Sequence, residues 1–325
     1  MKKAVPIAAP LKMSVYGPHG SGKSLTSLLF AEGLAKWRKK RVAYIDTEYS
    51  TKTYRQANPL RQVHPEEFDF DVADTRSLAD ALSEIKNLDP KVYGVIVLDS
   101  ITRLWDAARE AWISANPEKR DIPINAWSAI KRPYKELMQI MMQGPFDVII
   151  TGRQRTVFET VDGRMENAGV AMRAEGETQF EPDICLRFEM YGRRGEDGVV
   201  SCFAEKDRYG VLSGRTFSSP TFAVIEPLLP FLGDSSPKSQ TDEEAAEIDS
   251  DLMGNDKAEK KIAKSQGLFR EFSAKLLGCN DVTELGSISA EMKKAKRYIV
   301  AEHQNALREL YLSARDRTAA PEGGI

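Results

Sequence analysis

The sequence predicts an α/β fold in which a parallel sheet carries helices on both faces, antiparallel strands extend it, and a small α-helical module follows. Three observations lead there. Runs of β-branched and aromatic residues alternate with helical patterns up to Thr151. Strand-like runs between residues 183 and 226 then follow one another through turn-like stretches with no helix pattern between them. Helical periodicity returns only after residue 258, beyond an acidic stretch.

In chain order the strand candidates are Leu11 to Tyr16, Arg41 to Asp46, Phe68 to Val72, Tyr93 to Asp99 and Phe146 to Thr151. After the third of them, Leu78, Ala81, Leu82, Ile85 and Leu88 recur at the spacing that lines one helix face. Asp183 to Met190, Val199 to Lys206 and Thr221 to Glu226 are the antiparallel candidates. Together these elements define a first domain over residues 1–232. Residues 233–258 are an expected flexible acidic linker, because Ser, Pro, Asp, Glu and Gln with few large apolar groups bury too little surface to offset chain entropy. Over residues 259–325, Leu268, Phe272, Leu276 and Leu277, then Met292, Ala295, Ile299, Ala306, Leu310 and Ala314, step at helical intervals, with breaks expected near Asn280 and Gly286.

Composition narrows the chemistry. Cys185, Cys202 and Cys279 form no CxxC pair or Cys/His cluster, and His19, His64 and His303 are scattered, which argues against a zinc site or a disulfide framework. The amino-terminal stretch, with Pro6 and Pro10 in a short apolar run, is unlike a signal peptide, and no apolar run is long enough for a membrane span. A cytoplasmic protein with no membrane partner is expected. The net charge of −2 hides an asymmetry: residues 234–258 hold eight acids against Lys238 and Lys257, a balance of −6, so the remainder carries +4. A near-neutral total therefore leaves room for a locally basic surface.

Gly17-Pro18-His19-Gly20-Ser21-Gly22-Lys23-Ser24 fits GxxxxGK[ST] between a strand candidate and a helix candidate that opens with Leu25. Glycines there let backbone N–H groups face phosphates, the helix N-terminus adds positive potential, Lys23 reaches the outer phosphates, and the Ser24 hydroxyl suits Mg²⁺. ATP with Mg²⁺ is the expected ligand. Val95-Ile96-Val97-Leu98-Asp99 is an apolar strand ending in a carboxylate, which makes Asp99 the second metal-side residue. Val42 to Glu48 ends at a strand edge beside that loop, where Glu48 can polarise a water for attack on the outermost phosphate, with Asp46 as the alternative.

In the order GPHGSGKS, VAYIDTE, VIVLDS and DVIITGRQR, the sequence resembles the RecA/RadA superfamily of P-loop ATPases over roughly residues 11–230. The resemblance implies a RecA-like P-loop NTPase core with Glu48 as catalytic base. Glu205-Lys206-Asp207-Arg208-Tyr209-Gly210 is similar to the Lys-Asn-Arg-Phe-Gly signature of bacterial RadA, which implies that Lys206 and Arg208 reach ATP bound to a neighbouring subunit. A sensor side chain falls at Arg153 or Gln154, and the following loop, Arg155 to Gln179, matches a DNA-binding loop of RecA, with Arg155, Arg164 and Arg173 as contacts and Phe158 for stacking. Ser114 to Ala126 occupies the place of a first DNA loop. Unlike in RecA, no polymerisation domain is expected before Leu11, and no counterpart of RadA's zinc finger or protease-like domain is expected.

Within that superfamily the chain is most similar to phage-encoded RecA-like ATPases of single-strand annealing and recombination. The resemblance implies ATP hydrolysis stimulated by single-stranded DNA, a homo-oligomeric ring or short filament, and a single-strand-binding or recombination protein as partner, in a bacterial or phage-infected host cytoplasm. Two other classes compete: a nucleotide-switched adaptor that recruits a protein through its C-terminal helices, and a P-loop kinase.

Overall fold

The computed structural model describes residues 8–61, 63–119, 121–161, 163–192, 198–234 and 262–319. They fall into two compact units, one within Met1–Ser239 and one within Gln240–Ile325. Apart from Gly233 and Asp234, the expected linker over 233–258 lies outside the described residues.

The first unit is built on one sheet. Its strands β1 (Lys12–Gly17), β2 (Arg41–Asp46), β3 (Asp71–Asp74), β4 (Tyr93–Asp99) and β5 (Asp147–Val161) stand in the order β3-β2-β4-β5-β1, all parallel. β6 (Arg164–Met172) folds back on the far half of β5, β7 (Ile184–Tyr191) joins β1 in parallel, and β8 (Val199–Asp207) and β9 (Thr216–Ser218) continue antiparallel. Val95 and Val97 of β4 enter one core with Leu28, Phe30 and Leu34 of α1 (Lys23–Arg38). Ile96 and Leu98 enter the opposite core, against α2 (Leu78–Lys86), α3 (Ile101–Ala115) and α4 (Trp127–Gln143) through Ile85, Leu104 and Leu137. A strand buried on both faces needs an unbroken apolar run, which Val95 to Leu98 supplies.

A buried cation pins the entry to this sheet. The Lys12 ammonium donates to three carbonyls at the end of α4 and just beyond, Met141 O (2.8 Å), Gly144 O (2.9 Å) and Phe146 O (2.7 Å). Burial lowers its pKa from 10.5 to about 8. Lys12→Met leaves those acceptors without a donor and is expected to destabilise the unit by about 2 kcal/mol in urea unfolding. Because the unfolded chain binds more protons between the lowered and the ordinary pKa, wild-type stability rises with pH across about 8 to 10.5, and the variant lacks that rise.

Three expectations are corrected here. Thr221 to Glu226 is not a strand; Phe222–Val224 and Glu226–Phe231 are short helical turns, since Pro220, Pro227 and Pro230 remove ladder donors, and β9 is the third antiparallel strand. The loop expected from Arg155 to Gln179 is mostly a β-hairpin, with β5 and β6 paired from Gln154↔Met172 to Val161↔Arg164. The strand-favouring residues Thr156, Val157, Phe158, Thr160 and Val161 continue β5, and Gly163 at φ 77° serves the turn. The place expected for a first DNA loop is partly helix, because α3 runs to Ala115.

The second unit has α5 (262–278), α6 (Val282–Ala295) and α7 (Ala301–Ala319) around Phe272, Leu276, Leu285, Ile288 and Leu307. Gly286 sits inside α6 rather than at a break. Asp281 marks the boundary, its carboxylate accepting from the Thr283 N–H as an N-cap. Among the described residues no helix is long and apolar enough to cross a membrane.

Candidate nucleotide site

The carboxyl ends of β1, β2 and β4 and the middle of β5 converge on a cleft of about 210 Å³ lined by Gly20, Lys23, Ser24, Glu48, Asp99 and Arg153 among others. Its floor is the turn from β1 into α1. Gly20 and Gly22 have φ of 78° and 87°, values that favour glycine, and Gly22 is the N-cap of α1. The turn is also packed closely: a Cβ on Gly17 would lie 2.2 Å from Phe188 O, and one on Gly22 would lie 2.8 Å from the Val200 side chain. The β7–β8 pair thus braces the loop. Ser21 closes it from inside, its hydroxyl donating to Pro18 O at 2.9 Å, while Pro18 and His19 stay exposed. The first-turn residues of α1, Lys23 to Leu25, line the cleft, and a helix start leaves their N–H groups without intrahelical partners.

Lys23 folds over this turn and donates to Pro18 O at 2.7 Å. Burial lowers its pKa, against the field of Asp99 and Glu48. Asp99 is buried at the end of β4, and burial raises its pKa, opposed by hydrogen bonds from Ser24, Thr151 and Tyr44. The Tyr44 hydroxyl reaches Asp99 Oδ2 at 2.7 Å and Thr151 donates to Oδ1. No ion pair among the described residues reaches this carboxylate, so hydroxyls alone hold it beside the phosphate loop. A carboxylate and the Ser24 hydroxyl are hard oxygen donors of the kind Mg²⁺ prefers, and they fit it. Tyr44→Phe is expected to raise the Mg²⁺ concentration needed for nucleotide binding about tenfold, by loss of the group that orients Asp99. A Mg²⁺ titration of fluorescent-ADP binding measures it.

Glu48 also faces the cleft. Its Oε1 accepts from Ser100 Oγ at 2.9 Å and from Arg153 Nε and Nη2 at 3.1 and 2.9 Å. Asp46, the alternative, is committed elsewhere: it is fully buried and accepts from Glu48 N, Thr51 N and Thr51 Oγ1, which fixes the turn after β2. Of the two sensor candidates, Arg153 lines the cleft, whereas Gln154 does not and its Oε1 is buried without a hydrogen-bond partner. Of the two, Arg153 is therefore the one the structure brings to the cleft. Tyr44, Thr151, Ser100 and Tyr54, all in or around the cleft, carry no sequence signal of their own.

The remaining candidates lie elsewhere. Lys206 of β8 stands level with Cys185 of β7, which stands level with Ser14, so Lys206 and Arg208 are toward the start of β1, away from their own phosphate loop. Lys206 donates to Phe180 O and to Pro182 O, and Arg208 pairs with Asp183 at 3.1 Å. Arg155 and Arg164 are exposed on the β5–β6 hairpin, beside Phe158 (55% exposed). Arg173 is instead at the hairpin's base, paired with Asp106 of α3 at 2.9 Å.

A parallel sheet whose carboxyl edge presents a glycine loop, its lysine and a second-strand-pair carboxylate defines a P-loop nucleotide-binding domain. Residues 9–191, more than half of the chain, match the model of a family described as an AAA domain. The chain belongs to that family of P-loop ATPase domains. Comparison with curated proteins gives no match.

Proposed function

We propose that the protein hydrolyses ATP with Mg²⁺ and does so as a RecA-like factor on single-stranded DNA, in phage-type recombination, annealing or repair. The supporting observation is a continuous strand: Arg153, bonded to Glu48 in the cleft, is followed without a break by the β5–β6 hairpin with its exposed Arg155, Phe158 and Arg164. Occupancy of the cleft and posture of the hairpin therefore share one element.

In this reading the loop N–H groups and Lys23 bind the phosphates, Lys23 exchanging Pro18 O for an outer phosphate oxygen. Ser24 and Asp99 would hold Mg²⁺, which when bound neutralises charge on the outer phosphates. Glu48 takes a proton from the attacking water once Arg153 turns from its carboxylate toward the phosphate. Arg155 and Arg164 contact the DNA backbone and Phe158 stacks on a base.

The test compares ATP turnover with and without single-stranded DNA, together with DNA retention at low salt. Stimulation is expected, with binding that weakens steeply as salt rises. Neither stimulation nor retention would remove DNA from the proposal while leaving the ATPase intact.

A further inference from the structure

Between α6 and α7 of the helical unit lies a cleft of about 370 Å³. Met292, Ile299, Leu307 and Tyr311 give it an apolar floor, and Lys293, Lys296 and Arg308 stand around them. No acidic side chain lines it. Among the described residues none of these three cations is in an ion pair, whereas Lys275 on α5 is satisfied by Glu271 and Glu291. A shallower depression next to it adds Lys294.

We infer that this cleft binds a short acidic peptide segment that carries one large apolar side chain. Three cations left without counter-ions around one mouth favour an anionic occupant, and like charges so placed repel one another until one arrives. The floor adds a demand that bare acid does not meet: Ile299 and Leu307 are 5% and 1% exposed, so the cleft ends in core side chains and rewards an apolar anchor. A nucleic acid fits these observations less well, because its phosphates call for cations spread along a track and its bases for an aromatic platform. Here the cations converge, and the floor is mostly aliphatic. So small a contact belongs to the transient class, with affinity on the order of micromolar and a strong salt dependence. The occupant is then a partner protein's acidic tail or loop, and the inference stands whether or not the ATPase reading does.

The experiment is fluorescence anisotropy of a labelled acidic peptide with one central phenylalanine, titrated with the full chain at low salt. Saturable binding is expected, weakened about tenfold or more by Lys293→Glu with Lys296→Glu and equally by exchanging the phenylalanine for serine. The charge-matched control Lys91→Glu with Lys135→Glu, in the other unit, should bind as wild type. Both cleft lysines are exposed, and circular dichroism checks that the variant keeps its helices. Amide exchange on the wild-type chain gives an independent reading, with peptide expected to protect α6 and α7. No saturable binding, equal binding of the serine peptide, or an equal loss in the control would overturn the inference. So would a single-stranded oligonucleotide that displaces the peptide and loses affinity with the same two substitutions, which would make the cleft a nucleic-acid face.

Discussion

Glu48→Gln is expected to lower steady-state ATP turnover by about 10²- to 10⁴-fold, the range for losing a general base, and to leave nucleotide affinity within a few-fold of wild type. The substitution is chosen because glutamine keeps an oxygen that can still accept from Ser100 and Arg153, so the geometry around the side chain survives while the basic carboxylate does not. Binding is retained because Glu48 touches neither the glycine turn nor Lys23 by any hydrogen bond. Fluorescent-ATP binding and single-turnover hydrolysis separate the two effects. Full turnover by the variant would move the base elsewhere; Asp46 is a poor substitute, since its three hydrogen bonds build the turn that carries Glu48.

The same cleft shows which features a sequence carries openly. The phosphate loop and Asp99 were legible because each is a local pattern: a glycine spacing between strand and helix, and an apolar run closed by one acid. Arg153 and Gln154 could not be separated, since adjacent residues of a strand face opposite ways and only the register decides which faces the nucleotide. Thr151 bonds Asp99, so parity along β5 sends Arg153 to the same side and Gln154 to the other. Tyr44 shows a different limit. Within Val42 to Asp46 it reads as one more core residue, and its hydroxyl acquires meaning only when β2 pairs with β4 and brings Asp99 alongside. The hairpin was hidden for a third reason: Arg and Glu interrupt β-branched residues in a strand whose two faces are both wet, so no apolar alternation announces it.

Position in the sheet also determines what Arg208 can do. It lies toward the start of β1, outside the cleft of its own chain, so a role in phosphoryl transfer requires a second copy that offers its cleft. Arg208→Ala is expected to cut turnover by about 10³-fold or more, in the range for a charge-stabilising arginine supplied by a neighbour, with nucleotide binding kept. Instability does not explain such a loss, because the pair with Asp183 joins side chains 59% and 24% exposed and contributes little. Mixing gives the decisive result. Arg208→Ala protomers keep Glu48 and Glu48→Gln protomers keep Arg208, so an equal mixture of two inactive proteins regains about a quarter of wild-type turnover if heterologous contacts form at random. Wild-type turnover by Arg208→Ala alone, or by an isolated monomer, would confine Arg208 to its bond with Asp183.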